Sequence, residues 1–415
     1  MTTLAPPATP TSPPAERRGP RYAWYATLAV GLGIGLFSYG YQLTGGLAVT
    51  GLTNTVTWGL YIVVFMFLVG VSAGGLIVVA GSELVGSHRM ESLNRLAVIV
   101  SGTAVAAAAV SIIPDLGRPF MAWQMMVSPQ LMSPLVWDMA VITVYLTIAG
   151  IDLWILTRPK PMPRSLRIMA MITLPVAVLV HSVTAWIFGF LIARPFWNTA
   201  ILAPLFISSA LVSGTALVLI IAWTVRRVSS WEPPSHVFQD LAKLLAWFVA
   251  VDFFLLVAEL VTAFTSQTEY HLAPLEMLFS GRQAPLFWGQ LGFGVLLPFL
   301  VYAIPKLRAR TGLLVAAAVL SVLGVFAKRV NILMPGMYEP QINLPPGASG
   351  GVPGGGFVLD QLYVPTWVEY GVVIGIGAFA ATLITIGVRR WVLPQAATEA
   401  DEARDAGDDE TAPAH

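Results

Sequence analysis

Several ionisable side chains of this 415-residue chain stand inside or at the ends of long apolar runs, where a charge is costly and a titratable group is a functional candidate by default. His181, Asp252 and Glu259 fall in the middle of such runs; Asp115, Arg118, Asp138, Lys328, Arg329 and Glu369 fall toward one set of ends, and Glu83 and Asp152 toward the other. Carboxylates and an imidazole in apolar surroundings are suited to taking up and handing on protons. Asp115 and Arg118, three apart after Pro114, read either as a local ion pair closing a loop or as polar groups at the mouth of a pocket. Asp138, next to Trp137, reads as a proton relay or a cap. Asp252 and Glu259 are seven apart and so share a helix face; this ladder fits a proton path, or bonds to neighbouring helices. His181 is a core residue or part of a site. Lys328-Arg329, followed by Asn331, read as a helix end whose side chains snorkel to the surface, or as partners of Glu259 or Glu369 around a pocket.

The elements that must position these groups are membrane helices. Apolar residues make up 56% of the chain and charged residues 11%, against roughly 25% charged in soluble domains. So few charges cannot cover a water-exposed surface, and the fold class expected is an all-α polytopic membrane protein. Runs of about 20 apolar residues read as spans, and ten are expected, near 22–46, 57–85, 95–114, 134–157, 166–192, 198–227, 240–265, 283–304, 312–334 and 366–393. With the N-terminus inside, the inner segments carry 18 of the 23 Lys+Arg residues and the outer ones only Arg118, Arg194, Arg282, Lys328 and Arg329. That bias predicts an N-in, C-in topology. Residues 1–21 read as a disordered cytoplasmic tail rich in Pro, Ala and Thr, 22–393 as the transmembrane domain, and 394–415 as an acidic cytoplasmic tail. Arg17-Arg18 precede an apolar stretch without a small-residue cleavage site, which reads as an uncleaved first helix. The outer loops 115–133, 266–282 and 335–365 are long, and long loops tend to carry function or bind partners.

Composition also excludes chemistry. The chain has no cysteine, so iron–sulfur ligation, thiolate metal sites and disulfides are not expected within it. Of its five histidines only His181 lies mid-span, too few for haem held by facing pairs of axial ligands. The 23 basic residues nearly cancel the 22 acidic ones, leaving no footprint for nucleic acid. No Gly-rich turn ends in Lys-Ser/Thr, which disfavours ATP-driven transport.

The segment TWGLYIVVFMFLVGVSAGG at 57–75 resembles the opening core helix of NrfD/PsrC-type membrane subunits, the polysulfide reductase-type family. PDLGRP at 114–119 with SPLVWD at 133–138, the long stretch at 181–214, FWGQLGFGVLLP at 287–298 and KRVNILMPG at 328–336 are similar to later family segments, in family order over 57–336. The resemblance implies eight core helices in two four-helix bundles, with the first and tenth helices outside. A faint echo agrees: Trp58 precedes a small-residue cluster by about the distance at which Trp197 precedes Ser213-Gly214. By resemblance the chain is a quinone-interacting subunit in a prokaryotic plasma membrane, active on its extracytoplasmic face, with menaquinone or ubiquinone as substrate and no haem or iron–sulfur cluster of its own. The quinone site carried over is Asp115, Arg118, Trp137, Asp138, His181 and Arg329. A quinone head needs hydrogen-bonding groups at its oxygens and an exchange of two protons. Protons are expected through Asp115 and Asp138 from outside, or through Asp252 and Glu259 from inside. The expected partners are membrane lipid, a ferredoxin-like iron–sulfur subunit on the outer face, and a further catalytic subunit (a molybdopterin enzyme, hydrogenase or multihaem cytochrome) that performs the terminal reaction. Two other readings stay open. A secondary transporter would use buried carboxylates to couple ion and substrate, with a midplane site at broken helices and an internal repeat. A purely structural anchor would do no redox work.

Overall fold

The computed structural model describes residues 19–53, 56–84, 88–158, 163–229, 231–266, 269–338, 351–352, 355–356 and 363–394. Among the described residues ten helices are long and apolar enough to cross a membrane, and the chain is a multi-pass integral membrane protein. They are α1 (Gly19–Gly45), α2 (Leu60–Leu84), α3 (Asn94–Ile112), α4 (Pro134–Leu156) and α5 (Pro163–Gly189). They continue as α6 (Leu202–Val228), α7 (Ser235–Thr265), α8 (Ala284–Ala303), α9 (Thr311–Tyr338) and α10 (Trp367–Gly387). Backbone groups inside a bilayer must bond within their own segment, which is why apolar runs of this length become helices. The expected tails lie outside the described residues, except that Gly19–Arg21 open α1 and Pro394 follows α10. Most of the expected loop 335–365 also lies outside them; within it Gly351–Val352 pair with Gly355–Gly356.

Helices α2 to α5 pack as one bundle and α6 to α9 as a second, while α1 lies along α10 and that pair leans on α3. The bundles meet where α2 crosses α6. A Cβ added at Gly74 would collide with the Ala210 carbonyl, and one at Gly214 with the Gly74 backbone; small residues let membrane helices approach this closely. At one end of the same seam Trp58 stacks on Trp197, with ring centroids 6.0 Å apart and planes at 18°. Like residues therefore face each other along two helices running in the same direction, and the faint sequence echo is a packing relation.

Two segments differ from expectation. The outer loop 266–282 contains a helix, Glu269–Phe279. Helix α9 runs to Tyr338 rather than stopping near 334, and passes through Pro335. Its last carbonyls find donors elsewhere: Arg194 bonds Gly336 O and Met337 O, and the Trp197 indole bonds Ile332 O at 2.8 Å. Side chains that satisfy terminal carbonyls support the last turn. Inside α8, Gln290–Leu296 forms a wider π-helical turn. Pro298 has no N–H to offer the carbonyl of Gly294, and Gly294 itself is pressed against Gly324 of α9; such turns often mark functional sites.

Candidate functional site

In the first bundle Thr184 of α5 ties Asp138 of α4 to the helix that carries His181 one turn earlier. Asp138 is 3% exposed and its Oδ1 lies 2.6 Å from the Thr184 hydroxyl. Thr184 follows His181 by three residues and shares its helix face. The His181 ring is buried, with Nδ1 3.0 Å from the Ala177 carbonyl. That contact assigns the proton to Nδ1 and leaves Nε2 an acceptor, and Nε2 has no protein partner among the described residues. The backbone of Val69 and Gly70 on α2 borders the ring, and Arg329 lies across the seam in electrostatic reach. The bundle thus buries a carboxylate and an imidazole nitrogen with no hydrogen-bond partner among the described residues, groups of the chemistry that pairs with hydroxyl or carbonyl oxygens.

The other expected residues distribute around this pair. Trp137 turns away from Asp138, exposed, its indole donating to Leu131 O at 2.6 Å and its ring against Phe190. Arg118 is exposed, and the expected Asp115–Arg118 ion pair does not form among the described residues. Asp115 is half-buried, with an Oδ1 that has no partner among the described residues. It lies near a polar knot that ties the outer helix pair to the core. Glu369 of α10, fully buried, accepts the backbone N–H of Gly51 (2.7 Å) and of Thr366 (2.9 Å) and the Tyr363 hydroxyl. Burial pushes the Tyr363 phenol well above its ordinary range, so it remains a donor. The Tyr61 hydroxyl meets Gln42 at 2.6 Å, and Gln42 reaches Pro114 O at 2.6 Å.

Lys328 and Arg329 are not at the surface: they are 2% and 0% exposed. Because α9 continues to Tyr338, they lie about 15 Å inside its end at 1.5 Å per residue. Lys328 pairs with Asp252 (2.7 Å), not with Glu259 or Glu369, and the Ser208 hydroxyl meets the same carboxylate oxygen at 2.7 Å. Asp252 is thus neutralised in place. Arg329 Nη2 bonds the Ser209 hydroxyl (2.8 Å), its guanidinium lies 3.9 Å over the Phe206 ring, and Nε and Nη1 have no partner among the described residues. Glu259 accepts from Thr199 at 3.0 Å. It borders a small cavity of the second bundle together with Gln290, Lys328 and Asn331.

Sequence reasoning missed the company Asp138 keeps on its own helix. Asp138, Tyr145 and Asp152 are all buried on α4, seven residues apart, which puts them on one face. The spacing is readable in the sequence, but a phenol carries no charge and so raises no signal among ionisable residues.

The chain matches the family model described as "Polysulphide reductase, NrfD" over residues 48–341, a span that brackets 57–336. It is similar to a putative dimethyl sulfoxide reductase membrane subunit of Halobacterium salinarum, 34% identical over 93% of this chain and 94% of that protein. It is also similar to an Hdr-like menaquinol oxidoreductase integral membrane subunit of Archaeoglobus fulgidus, 27% identical over 87% and 91% of the two proteins. With one of the polysulfide reductase chains of Wolinella succinogenes it shares 25% identity over 68% of this chain and 95% of the other.

Proposed function

The chain belongs to the NrfD/polysulphide reductase family, and from that premise we propose that it is the membrane anchor and quinone-reacting subunit of a respiratory oxidoreductase. The observation that carries the reading is a pair of buried polar groups on facing helices of the first bundle: Asp138, held by Thr184, and His181 one turn before Thr184 on α5, whose Nε2 has no hydrogen-bond partner among the described residues. A quinol hydroxyl would donate to Nε2 while Asp138, held by Thr184, takes the second proton. Two electrons leave with the two protons, and the reverse step reduces the quinone. Menaquinone or ubiquinone is the substrate, and the chain itself needs no resident cofactor. Arg118 and Asp115 stand toward the mouth of the site and Arg329 at its seam side; Trp137 supports the entrance from outside.

The electrons pass to a ferredoxin-like iron–sulfur subunit on the face that holds the long loops, with terminal chemistry on a further catalytic subunit. That face is extracytoplasmic in the proposed N-in, C-in topology, and the membrane is the prokaryotic plasma membrane. Phe120, Trp123, Met126, Leu131 and Met132, all exposed there, form an apolar platform of the kind that partner proteins cover. The paired bundles and the π-turn of α8 would also suit a secondary transporter; family membership favours the respiratory reading.

Asp138→Asn tests the site. It keeps the shape and the Thr184 contact but removes proton exchange, so quinone-linked turnover is expected to fall about 100-fold or more while the complex still assembles. Unchanged turnover with intact assembly would remove Asp138 from the site.

A further inference from the structure

We propose that the first bundle contains a proton route running along one face of α4, from a small cavity holding two acids at the basic-loop end, through Tyr145, to Asp138 and His181. The inference rests on the quinone reading above and names a path separate from the expected ladder on α7, where Asp252 is paired with Lys328.

The cavity has a volume of about 40 Å³; its walls are mostly aliphatic, and four polar side chains enter it, Glu83 of α2, Asn94 of α3, and Asp152 and Thr173 of the α4–α5 pair. One or two waters fit such a space when polar partners are present. They are: the Thr173 hydroxyl donates to Asp152 Oδ2 at 2.8 Å, Asn94 Nδ2 donates to Glu83 Oε1 at 2.7 Å, and Asn94 Oδ1 is buried with no partner among the described residues. A pair serving only to join α4 to α5 would not need a second acid and an unmet amide oxygen in the same hole.

The next group along the face is Tyr145, fully buried, two turns or about 10 Å from Asp152. Its hydroxyl lies 2.7 Å from Ser101 Oγ and 2.8 Å from Ser72 O. The Ser72 hydroxyl donates to Val69 O at 2.7 Å, and the backbone of Val69 and Gly70 borders the His181 ring. Tyr145 therefore stands within one turn of α2 from the backbone that borders the imidazole; the Ser72 and Val69 carbonyls between them only accept hydrogen bonds, so the relay from Tyr145 to His181 runs through water. A further two turns along α4 stands Asp138. Hydroxyls and carboxyls at this spacing, bridged by water, pass a proton by accepting one and releasing another, with no net change in the route. Quinone reduction would draw its protons from the basic-loop end, although the quinone sits toward the other.

The test uses inside-out membrane vesicles carrying the assembled complex, with reduced benzyl viologen as electron donor and decylubiquinone as acceptor. Asp152→Asn and Tyr145→Phe are expected to lower kcat roughly tenfold or more, leave KM for decylubiquinone unchanged and raise the solvent deuterium isotope effect, and Asp152→Glu to restore most of the rate. Parental kcat in Asp152→Asn, with Asp138→Asn still slow, would overturn the route and leave the quinone site standing. Parental kcat in both would overturn the site as well. Equal loss in Asp152→Asn, Asp152→Glu and Thr173→Val, with lowered assembly, would show Asp152 to be a packing residue and overturn the route.

Discussion

Lys328 and Asp252 enclose opposite charges at 2% and 5% side-chain exposure, 2.7 Å apart. Taking either charge out of water is expensive, and the pair is tolerated because each offsets the other and Ser208 adds a hydrogen bond. Removing one partner is therefore worse than removing both. Lys328→Met is expected to cost about 3–5 kcal/mol, read as a lower unfolding temperature of the detergent-solubilised complex, while Lys328→Met combined with Asp252→Leu recovers most of the loss. Equal damage in the single and the double variant would mean that the pair does not act as a unit. The types of these residues were legible in the sequence, and so were His181 and Asp138 as candidates. Their depth was not. The expected span ended near 334, just before Pro335, whose ring interrupts the helical ladder; the distant Arg194 and Trp197 hold the carbonyls of the last turns of α9.

At the scale of elements, the ten helices were legible because a bilayer fixes both their length and their composition. Details set by contacts between helices were less so. The helix Glu269–Phe279 contains Pro274 and is too short for a strong periodic signal, and the π-turn of α8 depends on the approach of Gly294 to Gly324. The seam between the bundles rests on a similar approach, of α2 to α6 at Gly74 and Gly214. Gly74→Leu would force the two helices apart, separating Arg329 from the Gly70 side of the seam and from His181. The expected outcome is a complex that still inserts, loses quinone-linked turnover and is cleaved faster by limited proteolysis. The same leucine at Gly81, where an added Cβ meets nothing within 4 Å, is expected to be silent. A silent Gly74→Leu would deny the seam any part in holding the site.

For the whole molecule, the placement of Lys328 and Arg329 inside the protein sharpens the charge asymmetry. Of the five basic residues assigned to the outer side, those two do not reach a surface. Arg194 is buried as well, against the end of α9, so Arg118 and Arg282 remain against 18 on the inner side, and such a bias orients membrane proteins with the basic loops in the cytoplasm. The proposed N-in, C-in topology decides what the α4 route accomplishes: with the basic loops inside, protons drawn through Asp152 come from the cytoplasm to a quinone at the outer face, so turnover moves charge across the membrane. With the opposite orientation the same chemistry would dissipate it. The absence of cysteine makes the orientation directly measurable, since an introduced thiol is the only one in the chain. Phe120→Cys lies at the long-loop end, where the native side chain is 82% exposed; Arg227→Cys lies at the exposed basic end of α6. A membrane-impermeant maleimide applied to intact cells is expected to label the first and spare the second, and to label the second once the membrane is opened. The reverse pattern would invert the topology and turn the inner proton route into an outer one.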